Sequence, residues 1–201
     1  MECRGAASAF CAAATAELGQ SASGWVAGAR GPVRLERASG LPLTPGEVSV
    51  PDPAPDSTNL TVLDLSWDPR VLARAAGWLS TALFTAPAPV LVATATVPGV
   101  RHLEAVLHVL PEEATPVAIF RVGHRQRRWP TTVHQQTGPR TRALHDAGRL
   151  LQFPTEPQLA VTGLNTGPLS RTVVAAAAEV LDLAHPDAHH TTTPTTKEMN
   201  R

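Results

Sequence analysis

Four times between residues 60 and 184 a short apolar run gives way to a stretch with helical spacing, and this alternation constrains the fold more than any other feature. The runs are LTVLDLS (60–66), PVLVATA (89–95), PVAIFRVG (116–123) and RLLQFP (149–154). Behind the first, Asp68-Pro69 supplies an N-cap and a proline at the first helical position, and Leu72, Ala76, Leu79 and Leu83 predict one helix. Behind the second, Pro98-Gly99 leads into a stripe of Val100, Leu103, Leu107 and Leu110, with Arg101, Glu104 and His108 expected to face away. A helical region over 131–147 stopped by Gly148, and a last helix capped by Ser170 and carrying Val173, Ala177, Val180, Leu181 and Ala184, complete the series. Apolar strands separated by helices have both faces covered, which is how parallel sheets are built, with right-handed returns. With GWVAGA as a leading strand, the expected class is α/β, a three-layer open, mostly parallel sheet of about five strands with flanking helices.

The rest of the chain is read around that block. Residues 1–23 form an Ala-rich segment, 24–184 a single α/β domain, and 185–201 a polar Thr/Pro/His tail expected to be disordered. Inside the domain, residues 42–59 carry five prolines and read as an irregular connector. Seventeen acidic and seventeen basic residues cancel, so attraction to nucleic acid or an anionic membrane must come from a local patch. Sixteen of the cations are arginines, a bias that looks like a GC-rich, actinomycete-like genome. Cys3 and Cys11 are too few and too close to staple a fold, and the N-terminus lacks the basic start and Leu-rich run of a secretory signal. No apolar window is long enough to span a membrane, so the expected location is cytoplasmic.

Ligands of open α/β sheets bind beyond the carboxyl ends of the strands, which singles out the loops at 28–37, 65–69, 95–99, 122–130 and 154–163. In GWVAGARGPVRLERASG (24–40), Gly28 and Gly31 have the rhythm of a phosphate-binding turn. A working loop also needs Gly-Lys-Ser/Thr, and the residues that follow are Pro32, Val33, Arg34, Leu35, Glu36 and Arg37. Arginine does not fill the compact place of a lysine ammonium, Pro32 removes a donor, and Glu36 repels phosphate. Asp64, at the end of a predicted strand, is placed to position Mg²⁺ or water, and if buried it needs a partner such as arginine. Asp68 reads as a helix cap. In RVGHRQRRWP, Arg121, Arg125, Arg127, Arg128 and Trp129, with His124 among them, suit phosphate, nucleic acid or an acidic partner, or form a solvated loop with Trp129 turned to the core. The histidines assemble no metal site and no catalytic nucleophile is recognisable.

The order of TVLDLSWDP, PVLVATATVPGVRHLEAVL, PVAIFRVG and LLQFPTEPQLAVTGL behind a glycine loop resembles the MinD/ParA group of deviant P-loop ATPases over residues 24–184. It is more similar to small actinobacterial, mobile-element-associated relatives than to the partition ATPases. The resemblance implies a P-loop NTPase-like architecture and switching on DNA, membrane or protein surfaces. Only Gly28, Gly31 and Asp64 occupy corresponding places, and the signature lysines are absent. The expected function is therefore that of a non-hydrolytic accessory protein with no cofactor, acting by binding in plasmid or mobile-element maintenance or conjugative transfer, with a protein of a transfer or partition apparatus as partner. The alternatives are an atypical ATPase using ATP and Mg²⁺, and a nucleic-acid or protein-binding module built on residues 121–129.

Overall fold

The computed structural model describes residues 12–40, 42–53, 60–121 and 130–186. Among these residues six strands fall into two three-stranded sheets. The first is an antiparallel meander of β1 (Ala16–Gln20), β2 (Trp25–Arg30) and β3 (Val33–Ala38). The second is parallel, in the order β4 (Val90–Thr94), β5 (Val117–Arg121), β6 (Leu150–Phe153). The helices are α1 (Pro69–Leu72), α2 (Trp78–Thr85), α3 (Val97–Leu107), α4 (Thr131–His134), α5 (Pro139–Asp146), α6 (Pro157–Thr162) and α7 (Arg171–Ala184).

The α/β class holds, and the strand–helix alternation of 89–184 is borne out in β4, α3, β5, β6 and α7. Leu91, Ala118 and Phe120 point to one face of the parallel sheet, where Val100, Leu103, Val106 and Leu107 of α3 and Leu144 of α5 close over them. Laterally paired residues share a face, so Val90, Val92, Val117 and Ile119 point to the other, on which α7 packs against β5 and β6.

The leading strand differs from expectation. GWVAGA is the centre of the antiparallel meander and takes no part in the parallel sheet. The reason is the Gly31-Pro32 turn: Gly31 sits at φ +56 between the paired residues Arg30 and Val33. Glycine at the first position of a two-residue loop favours a hairpin, and so short a loop joins only antiparallel strands. The alternation of VRLERA then makes a third strand where the phosphate-loop reading required the start of a helix.

The run 60–66 also fails to form a strand; Asp64 alone makes a bridge. Leu63 and Leu65 turn instead into a second core of Trp25, Ala38, Val48, Trp67, Leu72, Leu79 and Leu83. The parallel sheet thus has three strands among the described residues, with Phe84 packed against both cores. Two predicted helices are each broken in two. The first is interrupted between Leu72 and Trp78, with Gly77 at φ +125 before the second segment, and the second between His134 and Pro139, where Gly138 is extended before the proline that opens the next segment. Residues 157–162 form a helix in a stretch expected to be turns.

Candidate functional site

Gly28 lies within β2, opposite Glu17 and Leu35. A Cβ there would stand 2.7 Å from the Ala14 Cβ and 3.1 Å from the Ala16 carbonyl oxygen, so glycine is required by close chain approach. A shallow cavity of about 210 Å³ on this meander is lined by Glu17, Gly28, Glu36 and Arg37 among others. Glu36 is paired with Arg34 at 2.6 Å. Gly28 and Gly31 therefore belong to a hairpin that leads into a strand, whereas a phosphate loop leads into a helix.

Asp64 is exposed, and its Oδ1 accepts hydrogen bonds from the Ser66 backbone N–H (3.1 Å) and Oγ (2.9 Å). Its role is a local turn in which Ser66 reaches φ +52, rather than a buried charge with an arginine partner. Asp68 caps α1 through the Arg70 N–H at 2.8 Å. Its carboxylate also meets the Arg70 guanidinium at 2.7 Å and faces His102 Nε2 at 3.6 Å, while Arg70 Nη2 lies 3.1 Å from His102 Nδ1. The Arg70 hydrogen bond holds the Asp68 carboxyl below the usual carboxylate range despite partial burial. No sequence spacing links Asp68 to His102; α3 brings them together.

The carboxyl edge of the parallel sheet begins at the turn from β4 to α3. Thr96 caps α3 by accepting the Gly99 N–H at 3.1 Å, and Pro98 has no N–H to give. A Cβ on Gly99 would lie 2.2 Å from the Thr94 carbonyl oxygen, so the helix start is pressed against the strand end. Between them, Thr96 and Pro98 remove donors that a phosphate would use at this helix start. The middle strand, β5, ends at Arg121, paired with Thr94 on one side and Phe153 on the other. His124, Arg125, Arg127, Arg128 and Trp129 lie outside the described residues; their stretch continues from Arg121 and rejoins the described chain at Pro130.

Glu104 overturns an expectation. Predicted to face away, its carboxylate is only 15% exposed and caps α5 from the neighbouring helix. It accepts the Arg140 N–H (3.0 Å), the Thr141 N–H (2.9 Å) and the Thr141 hydroxyl (2.7 Å). Gly138 at the cap position of α5 offers no side chain, and that vacancy is the one sequence signal pointing to a cap from elsewhere. Among the described residues no group of three His, Cys, Asp or Glu could hold a metal, and no helix is long and apolar enough to cross a membrane.

No family model, curated protein or solved structure matches the chain.

Proposed function

We propose that this chain is a non-hydrolytic binding protein that turns over no nucleotide and works through the carboxyl edge of its parallel sheet. The observation that carries the reading is the glycine stretch itself. It closes a hairpin at Gly31-Pro32 instead of leading from a strand into a helix. The tight turn from β4 to α3 meets its own needs with Thr96. A triphosphate gains its affinity from many converging backbone donors and an ammonium, and neither arrangement offers them. An accessory role in plasmid or mobile-element maintenance or transfer, beside a protein of that apparatus, is taken from the resemblance to the MinD/ParA group. Titration calorimetry with ATP and ADP, with and without Mg²⁺, is expected to give no saturable heat. Mg²⁺-dependent binding abolished by Asp64→Ala would overturn the reading in favour of the atypical ATPase.

A second reading has its own observation. Arg121 ends the middle strand of the parallel sheet, so the arginine-rich stretch departs from the edge where α/β sheets hold their ligands. A nucleic-acid contact there predicts binding that weakens steeply with salt. Replacing Arg125, Arg127 and Arg128 with alanine is then expected to lower the salt slope by about 2–3 phosphate contacts. A slope unchanged by the triple substitution removes nucleic acid from consideration.

A further inference from the structure

We propose that the Gly31-Pro32 hairpin is a strap, latched by Arg30, that opens and closes beside the carboxyl edge of the parallel sheet. Arg30 is the last residue of β2, and its guanidinium grips three successive carbonyls in the loop between α6 and α7. Nη1 donates to Asn165 at 3.1 Å, and Nη2 donates to Thr166 at 3.3 Å and Gly167 at 2.6 Å. Helix α7 fixes where that loop lies. It packs on β5 and β6 and is about 20 Å long, and its far end gives the Leu183 carbonyl to Arg149, which also holds Thr115 and Pro116 just ahead of β5. Leu183 is therefore at the amino edge of the sheet, and residues 165–170 are at the carboxyl edge, where β5 and β6 end at Arg121 and Phe153.

The two ends of β2 are held by different means. Trp25, about 17 Å along the strand from Arg30, is buried in the core with Trp67, Leu72 and Leu79. At the other end residues 31–34 are exposed, Val33 to 54%, so the tip buries little apolar surface of its own. Segments with few buried apolar contacts open at lower cost than the core to which they are joined. Arg30 supplies the hold that packing does not. Among the described residues it forms no ion pair, and its charge is set against neutral carbonyls that water replaces readily. All three bonds belong to one side chain, so a single change of its rotamer releases them together. A lever of about 17 Å turned by about 30° about its Trp25 end carries its tip about 9 Å from the loop. Control of access to the carboxyl edge rests on the reading of that edge as the binding surface, whereas the movement of the tip does not.

Spin labels on the full chain test this by double electron–electron resonance. With Cys3 and Cys11 replaced by serine, Val33→Cys and Val161→Cys place one label on the tip and one on α6, both at exposed positions. The parent is expected to give one narrow distance. Arg30→Ala is expected to add a population longer by about 9 Å, and Arg30→Lys, which keeps the charge without the planar fork, to fall between the two. A second pair, Val92→Cys with Val161→Cys, lies within the parallel half and is expected to be unchanged by either substitution. In the parent, urea below the unfolding transition is expected to raise the same longer population, which decides the matter even if Arg30→Ala fails to fold. A tip distance indifferent to both Arg30→Ala and urea overturns the proposal. So does a change shared by the two label pairs, since that is loosening of the whole fold. No ligand enters these measurements, so a failed strap leaves the binding reading to the calorimetric titration.

Discussion

Replacing Trp25 with alanine is expected to destabilise the protein by about 3–5 kcal/mol, the range for emptying a buried aromatic site. Trp25 is 1% exposed, and its ring meets Trp78 edge to face at 6.4 Å and 61°. Both indoles also donate to the connector: Trp25 Nε1 to the Ser49 carbonyl at 3.1 Å, and Trp78 Nε1 to the Val48 carbonyl at 2.8 Å. The meander, α2 and the segment around residue 48 are thus joined by two side chains. Phe84 touches this core and the one under the parallel sheet, so a single cooperative transition is expected. Thermal melting followed by circular dichroism should show the midpoint of Trp25→Ala lowered by roughly 10 °C. Trp25→Phe, which keeps a ring and loses the N–H, should cost about 1–2 kcal/mol beyond the smaller ring volume, because the Ser49 carbonyl is left without its donor. A Trp25→Ala midpoint close to that of the parent would mean that the meander melts apart from the rest.

The sequence carried the parallel half of the molecule well and the antiparallel half poorly, for identifiable reasons. Apolar runs such as PVAIF and the stripe Val100, Leu103, Leu107 state their own burial, and the caps at Asp68 and Ser170 are local chemistry. GWVAGARGPV is ambiguous because glycine serves a phosphate loop and a hairpin equally. The deciding signals were the Gly31-Pro32 pair and the two-residue period of VRLERA, and they are weaker than the glycine rhythm. Asp64 in an apolar run looked like a strand-end acid, but Ser66 two residues on satisfies it locally. The Asp68–Arg70–His102 cluster was beyond reach, since periodicity shows that a helix has a buried face without showing which residues lie against its other sides. The same holds for Glu104, which reaches a helix end 36 residues away.

That long-range cap carries the other large effect. Glu104→Ala leaves the Arg140 and Thr141 N–H groups and the wholly buried Thr141 hydroxyl without their acceptor, a loss of about 2–4 kcal/mol. The contribution also depends on pH. Burial pushes the Glu104 carboxyl up, but the Thr141 hydroxyl, the Thr141 and Arg140 N–H groups and the nearby His108 together hold it below its usual value of 4.5. A carboxyl whose folded value is depressed binds its proton more readily in the unfolded chain, so its stabilisation is present above about pH 4.5 and disappears as pH falls through the folded value. Glu104→Gln keeps the shape and one acceptor oxygen while removing the charge. Urea unfolding of the parent and Glu104→Gln from pH 7 down to pH 3 should therefore show a gap of about 1–2 kcal/mol at neutral pH that narrows below pH 4.5. A gap of constant size across that range would assign the cap to shape alone, since only an ionised acceptor loses strength when it takes up a proton.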